Sequence, residues 1–63
     1  MKRWIAKAVG LMHINKVSVK QLAERIGWSR GYLSEILNGK RNPLGAEARI
    51  KKAIQEIIEE KGK

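Results

Sequence analysis

Cysteine is absent from this 63-residue sequence, and proline and histidine each occur only once. Without cysteine the chain has neither disulfides nor thiolate metal ligands, and His13 cannot form a metal site alone. No apolar run approaches the roughly 18 residues of a membrane-spanning helix, and no signal-peptide pattern is present. We therefore expect one soluble, intracellular domain, residues 1–63, without a metal or cofactor.

Acidic residues are scarce: six Asp and Glu face fourteen Lys and Arg, which gives a formal charge of +8. A chain this short buries little apolar area, so its stability depends on well-packed helices, a partner subunit or a bound polyanion. Residues 1–46 carry nine basic residues and two glutamates, a net charge of +7, whereas residues 47–63 carry +1. We expect a polyanion-binding surface on the first three-quarters of the chain.

The side chains needed for catalysis are also missing. No serine has a plausible histidine and acid as partners, and no acidic cluster could hold magnesium. The segment GKRNPLG lacks the form of a phosphate-binding loop. A small helical bundle also offers little concave pocket for a small-molecule substrate. These absences favour a binding module over an enzyme.

Apolar residues recur with helical spacing in four stretches, and no stretch alternates like a strand. The first stretch predicts a helix that loses its pattern in a connection over residues 13–17. Ser18, followed three residues later by Gln21, is typical of a capping box at the start of a second helix, which Gly27 ends. The apolar stripes of these two helices are Trp4, Ile5, Ala8, Leu11 and Met12, then Val19, Leu22, Ala23 and Ile26.

Ser29 is a good N-cap for a third helix, and Asn38-Gly39 provides its stop. A fourth helix is expected at about residues 45–60, with a helix-stabilising ion pair between Glu47 and Lys51 and a frayed end after it. The apolar stripes of these helices are Leu33, Ile36 and Leu37, then Ala46, Ile50, Ala53, Ile54 and Ile57, with Ile58 at the edge. The chain is therefore predicted to be all-α, with a helix–tight turn–helix unit at about residues 18–38.

The segment SVKQLAERIGWSRGYLSEILNGKRNP, residues 18–43, resembles the Cro and phage-repressor helix-turn-helix family. The matching features are Leu22-Ala23, Gly27 at the turn, Ser29 as the cap, the Leu33 and Ile36 pair, and Asn38-Gly39 followed by a basic loop. The resemblance implies a lambda-repressor-like domain of four or five helices that binds double-stranded DNA. In that family the second helix of the unit enters the major groove.

Helical geometry places Arg30, Gly31, Ser34, Glu35 and Asn38 on the outward face of the third helix. The resemblance implies base contacts on this face and phosphate contacts from the start of the second helix and from the basic loop. The predicted base-reading residues are Ser29, Arg30, Gly31, Ser34, Glu35 and Asn38. The predicted phosphate-contacting residues are Val19, Lys20, Gln21, Tyr32, Lys40, Arg41 and Asn42. Val19 has no polar side chain, so it would act through its backbone N–H.

Several of these residues have a second interpretation. Glu35 either accepts from a cytosine amino group, orients Arg30, or is an exposed glutamate paired with Arg30 or Lys40. Tyr32 either donates its hydroxyl to phosphate or packs. The tryptophans are favoured as partly buried core anchors over stacking on bases, and His13 is expected at a loop or helix end. The first helix has three basic residues, Lys2, Arg3 and Lys7. They form either a phosphate-facing edge or a solvated helix face.

The resemblance also implies a homodimer that binds pseudo-palindromic sites. The usual fold of the family has five short helices, whereas residues 45–60 here predict one longer helix. Because of this departure, a monomer or an unusual dimer is the alternative to the family's dimer. We expect the dimer contact to include this fourth helix, with Ile57 and Ile58 as candidates.

The favoured function is therefore a sequence-specific, Cro-like or repressor-like transcriptional regulator of phage or bacterial origin, acting in the cytoplasm at the nucleoid. The alternatives are an antitoxin-type autorepressor, a non-specific nucleic-acid binder and a protein-interaction adaptor that has lost DNA binding.

Overall fold

The computed structural model describes residues 2–62 and contains four helices and no strand within them. They are α1 (Arg3–Ile14), α2 (Val19–Ile26), α3 (Arg30–Leu37) and α4 (Ala46–Lys61). The predicted all-α class is confirmed. The two terminal residues of the predicted domain, Met1 and Lys63, lie outside the described residues, and residues 2–62 contain no fifth helix.

Helix α1 is longer than its apolar pattern predicts. It continues through His13 and Ile14, which the sequence places in the connection. The apolar pattern ends before the helix does, because Ile14 is 79% exposed and does not face the core. The helix closes through Lys16, whose φ of 57° is left-handed, and the following Val17 N–H donates to the Met12 carbonyl at 2.8 Å.

The caps around α2 and α3 form where the sequence predicts them. Ser18 Oγ accepts from the Gln21 N–H at 3.0 Å, and Ser29 Oγ accepts from the Tyr32 N–H at 3.1 Å. The capping box at Ser18 is only half formed, because within residues 2–62 the Gln21 side chain makes no return hydrogen bond. That amide extends into solvent instead, so the serine hydroxyl alone caps α2.

Helix α4 is uninterrupted, as predicted, but its ends differ slightly. Gly45 is the N-cap, with a left-handed φ of 82°, and the helix continues through Lys61. The expected fraying at Lys61 is wrong, because its Nζ donates to the carbonyl oxygens of Asn15 at 2.7 Å and Lys16 at 3.1 Å. These bonds neutralise carbonyls at the end of α1 that have no helical partner.

Helices α1 and α4 run in the same direction. Their ends meet through Lys61, and at their beginnings Trp4 lines a shallow cavity with residues 42–47. Helix α4 also packs against α2, which in turn packs against α3. Helix α4 therefore contacts both α1 and α2, and α3 packs on α2.

A single core holds the four helices together, and every buried residue among those described is apolar. Its members are Ile5, Ala8, Met12, Val17, Leu22, Ala23, Leu33, Ile36, Leu37, Ala46, Ile50, Ala53, Ile54 and Ile57. Both tryptophans and Tyr32 are partly buried and pack against it, which supports the core-anchor interpretation. Ile57 is 2% exposed, so the structure corrects its assignment to a dimer contact, whereas Ile58 is half-buried at the core's edge.

Candidate nucleic-acid interface

The turn between α2 and α3 fixes the angle at which the third helix leaves the core. Gly27 ends α2 with φ +92°, a left-handed conformation that costs a residue with a Cβ about 1 kcal/mol or more. Its N–H and that of Trp28 both donate to the Ala23 carbonyl, at 2.8 and 3.0 Å. Two residues later Ser29 caps α3, so the connection is as short as the sequence predicts.

Helix α3 turns one face inward and one outward. Leu33, Ile36 and Leu37 are buried, with exposures of 0, 0 and 7%. On the opposite face Arg30 and Gly31 are exposed, whereas Ser34 and Glu35 are half-buried. The outward face predicted from helical spacing is therefore the face that the fold leaves open.

An open groove of about 600 Å³ runs between the beginning of α2 and the outward face of α3. It is lined by Ser18, Val19, Lys20, Arg30, Gly31 and Ser34. The first backbone N–H groups of α2 have no helical acceptor and carry the positive end of the helix dipole, so this end of the groove favours an anion. Arg30 makes no salt bridge within residues 2–62, which leaves its guanidinium free for a ligand.

Asn38 and Ser34 are coupled on the outward face. The Asn38 Nδ2 donates to the Ser34 carbonyl at 2.8 Å and to its Oγ at 3.2 Å. These bonds occupy both donors of the amide, so Asn38 offers an outside partner its carbonyl oxygen, and the Ser34 hydroxyl offers its hydrogen. The same holds for Ser29, whose oxygen caps α3 while its hydrogen stays available.

Glu35 has a partner that the sequence does not predict. Its two carboxylate oxygens accept from the Nε of Arg41 at 3.2 and 3.1 Å. The expected pairing with Arg30 or Lys40 is therefore wrong. The Arg41 guanidinium also lies over the Tyr32 ring, 5.5 Å from its centroid, and Tyr32 meets Trp28 edge-on at 5.2 Å.

The basic loop after α3 is brought back toward the helix by Gly39. This residue has a left-handed φ of 78°, its N–H donates to the Ile36 carbonyl, and the Lys40 N–H donates to the Glu35 carbonyl at 2.8 Å. Lys40, Arg41 and Asn42 are exposed beside the last turn of α3. The predicted phosphate-contacting residues thus form two groups, one on each flank of α3, with Val19, Lys20 and Gln21 on the other side.

Two residues of α1 also adjoin the outward face, and the sequence analysis missed them as site residues. Val9 and His13 line a groove of about 450 Å³ that includes Ser34 and Asn38. Their signal was present in the sequence, because both fall off the core stripe of α1 on the same side. Lys7 lines a different groove, between α1 and α4, which includes no residue of α3.

Ion pairs involve most of the glutamates of α4. Arg25 of α2 pairs with Glu56 and Glu60 of α4, and its hydrogen bond to Glu60 raises the pKa of the Arg25 guanidinium. Glu47 pairs with Lys51 at 2.8 Å, as predicted. Three of the four glutamates of α4 are thereby paired with Arg25 or Lys51, neither of which lines the groove that contains Arg30.

Other kinds of site find no support in the described part of the chain. Residues 2–62 contain no group of three or more histidine or carboxylate residues placed to hold a metal ion. None of the helices described is both long and apolar enough to cross a membrane.

A family model described as Helix-turn-helix matches residues 15–50, more than half of the chain. The chain is a helix-turn-helix protein. It belongs to the Cro and repressor type of this family, as the resemblance predicted. The matched residues extend from the end of α1 through α2 and α3 to the first turn of α4.

The family is one of DNA-binding regulators, so α2, the Gly27 turn and α3 form a DNA-binding helix-turn-helix unit. The family is not generally enzymatic. No curated protein and no solved structure matches this helix-turn-helix protein.

Proposed function

We propose that this helix-turn-helix protein is a sequence-specific transcriptional regulator that inserts α3 into the major groove of an operator. The observation that carries the proposal is the open face of α3, which bears an unpaired arginine and lies between two groups of phosphate-binding donors. A helix fits the major groove of B-DNA, where each base pair presents its own pattern of donors and acceptors.

Base discrimination falls to the residues on the open face. Arg30, at the first turn of α3, donates its fork to guanine O6 and N7, a pairing worth about 1–3 kcal/mol of discrimination. Ser34 and Asn38 offer one hydrogen and one carbonyl oxygen to neighbouring bases. Gly31 presents no side chain and lets the backbone approach a thymine methyl, and Glu35 accepts from a cytosine amino group.

Phosphates on either side of the groove hold the helix in register. The first N–H groups of α2 and the Lys20 side chain serve one strand, and the loop of Lys40, Arg41 and Asn42 serves the other. The Tyr32 ring packs against Trp28 and lies beneath Arg41 of the loop, and we assign its hydroxyl to a DNA phosphate.

We further propose that the protein acts as a homodimer on a pseudo-palindromic operator. Helices α1 and α4 leave apolar groups partly open to solvent: Leu11 is 38% exposed, Ile14 is 79% exposed, and Ile58 is half-buried. Leu11, Ile14 and Ile58 lie outside the segment that the family model matches.

Bound beside a promoter, such a dimer blocks polymerase, which makes repression the regulatory outcome that we propose. A Cro-like or repressor-like role in a phage or bacterial cell, at the nucleoid, accords with that outcome.

Selection of bound sequences from random duplex DNA tests the proposal directly. The wild type should yield one motif with two-fold symmetry and half-sites about 10 base pairs apart. Arg30→Ala should lose discrimination at one base position, by about 10-fold, with non-specific affinity little changed. Arg49→Ala is the matched control, because Arg49 is exposed on α4 and lines a groove with α2 that includes no residue of α3.

The alternatives give different results in the same experiment. A non-specific binder yields no motif, and Arg30→Ala then weakens binding alike on all sequences. An adaptor shows a salt slope near zero, whereas six phosphate contacts give a slope of about −5 in log K against log salt. An antitoxin binds its own promoter as specifically as a repressor and is distinguished by a toxin reading frame beside it.

A further inference from the structure

The outward face of α3 contains a carboxylate at a position where DNA would repel one. Glu35 lies among the residues that face the major groove, between two phosphate backbones. An isolated glutamate there opposes binding, since every nearby phosphate is negative. The structure supplies a counter-charge in the same place, because the Arg41 Nε donates to both carboxylate oxygens at 3.1 and 3.2 Å.

The orientation of this pair is built outward from the core. Trp28 packs against the core and meets the edge of Tyr32, whose ring lies beneath the Arg41 guanidinium at 5.5 Å. Such a cation–π contact adds about 0.5–1 kcal/mol at an exposed site and restricts the plane of the guanidinium. Gly39 turns the chain so that residue 41 returns over the helix it has just left. Three features therefore place the Arg41 guanidinium beside Glu35: the turn at Gly39, the Tyr32 ring and the hydrogen bonds to the carboxylate.

The contact leaves binding capacity on both partners. Arg41 uses only its Nε–H on Glu35, so its four terminal N–H donors remain for a phosphate. Each carboxylate oxygen accepts one bond from Arg41 and keeps a lone pair for a second donor. In the major groove the base-edge donors are the amino groups of cytosine and adenine, and a carboxylate accepts best from cytosine N4, because adenine presents an acceptor beside its amino group.

We propose that Arg41 is a positioning residue for base recognition, which orients Glu35 to accept from the N4 amino group of one cytosine in the operator. This inference rests on the proposed function and goes beyond it, because it makes a loop residue assigned to phosphate a determinant of sequence preference. Arg41 joins the two tasks: its outer N–H groups bind phosphate while its Nε fixes and neutralises the carboxylate. The base pair opposite Glu35 is then read only when both residues are present.

The test compares the base preferences of four proteins selected on random duplexes: the wild type, Glu35→Gln, Arg41→Ala and Lys40→Ala. Lys40→Ala is the matched control, because it removes one positive charge from the same loop, and within residues 2–62 the Lys40 side chain makes no ion pair with Glu35 while its backbone N–H bond to the Glu35 carbonyl is kept. Circular dichroism confirms that each variant folds, which we expect because all three side chains lie at the surface. Arg41→Lys is added as the conservative variant, since lysine keeps the charge but lacks the planar fork.

We expect Glu35→Gln and Arg41→Ala to lose the preference for cytosine at the same single position, by about 10-fold. Lys40→Ala should keep that preference and lower affinity evenly on all sequences, with the salt slope reduced by about 1. Arg41→Lys should recover affinity more fully than it recovers the cytosine preference.

Two results overturn the inference while leaving the proposed function intact. One is an Arg41→Ala protein that selects the same cytosine as the wild type and only binds all duplexes less tightly. The other is a Glu35→Gln protein with an unchanged motif. If the wild type itself selects no motif, the proposed function fails and the inference fails with it.

Discussion

Lys16 is the one residue other than glycine with a left-handed backbone among those described, with φ 57°. It lies at the end of α1, where the chain must reverse so that Val17 can enter the core. The left-handed conformation costs a residue with a Cβ about 1 kcal/mol, whereas glycine adopts it without that cost. The Lys16 carbonyl, not its side chain, accepts from Lys61, so the contact between α1 and α4 does not depend on the residue type.

We predict that Lys16→Gly raises the free energy of unfolding by about 1 kcal/mol, which for a domain of this size corresponds to about 4–8 °C in Tm. Thermal unfolding followed by circular dichroism measures the change. Lys16→Ala is the control, because it removes the same charge but keeps the Cβ. Equal Tm values for the two variants would show that charge, and not backbone strain, limits stability at this turn.

The N-cap of α3, Ser29, contributes to the stability of the helix and lies on the face that we propose binds DNA. Ser29 Oγ accepts from the Tyr32 N–H at 3.1 Å, and Ser29 is the first residue of the face that we propose contacts DNA. Replacing a serine N-cap by alanine costs about 1 kcal/mol, whereas aspartate caps as well as serine does. Substitutions at this position can therefore separate the two contributions.

We predict that Ser29→Ala lowers the free energy of unfolding by about 1 kcal/mol and that Ser29→Asp leaves it unchanged. Ser29→Asp should nevertheless weaken operator binding about fivefold, because a unit charge near a phosphate is worth about 1 kcal/mol in water. Urea unfolding and fluorescence anisotropy give the two quantities. Ser18→Asp, at the N-cap of α2, is the corresponding substitution, and we expect unchanged stability and weaker operator binding there too. If Ser29→Asp bound the operator as tightly as the wild type does, the beginning of α3 would lie away from the phosphates.

The elements that the sequence predicts well are those whose signals are local. Ser18, Gly27 and Ser29 act within four residues of their own positions, and the apolar stripes of α2, α3 and α4 record which side of each helix is buried. The open face of α3 follows from the same spacing. The end of α1 is predicted too early, because its last turn is followed by a backbone reversal at Lys16 that no apolar residue marks.

The contacts that the sequence does not predict join residues brought together by packing. Arg25 and Glu60 are separated by 35 positions, and Lys61 and Asn15 by 46. The partner of Glu35 depends on how the loop after α3 returns, and helical spacing carries no information about a loop. Ile57 was assigned to a partner subunit for the same reason, since the direction of α4 relative to α1 decides whether that side chain faces the core.

At the scale of the whole molecule, the groove beside α3 and the exposed apolar groups of α1 are separate features. The groove is lined by Arg30 and Lys20, whereas Leu11 and Ile14 are exposed on α1. A domain of this size reads about half a turn of duplex, so two copies are needed for tight binding. If the exposed apolar groups join two copies, the two α3 helices must be set one helical turn apart on the DNA.

We predict that Leu11→Lys and Ile58→Lys shift the protein from dimer to monomer, because a charge at a desolvated contact costs more than the apolar area gained. Sedimentation equilibrium measures the association, and binding to a full operator is compared with binding to a half-site. Full-operator affinity should fall by at least 10-fold while half-site affinity changes by less than about threefold, since each lysine also adds a favourable charge. Leu44→Lys is the control, because Leu44 is wholly exposed near the beginning of α4, at the far end of the molecule from Ile58. A wild type that sediments as a monomer on its own and binds full operators no better than half-sites would contradict the dimer, and it would leave the assignment of α3 to the major groove unaffected.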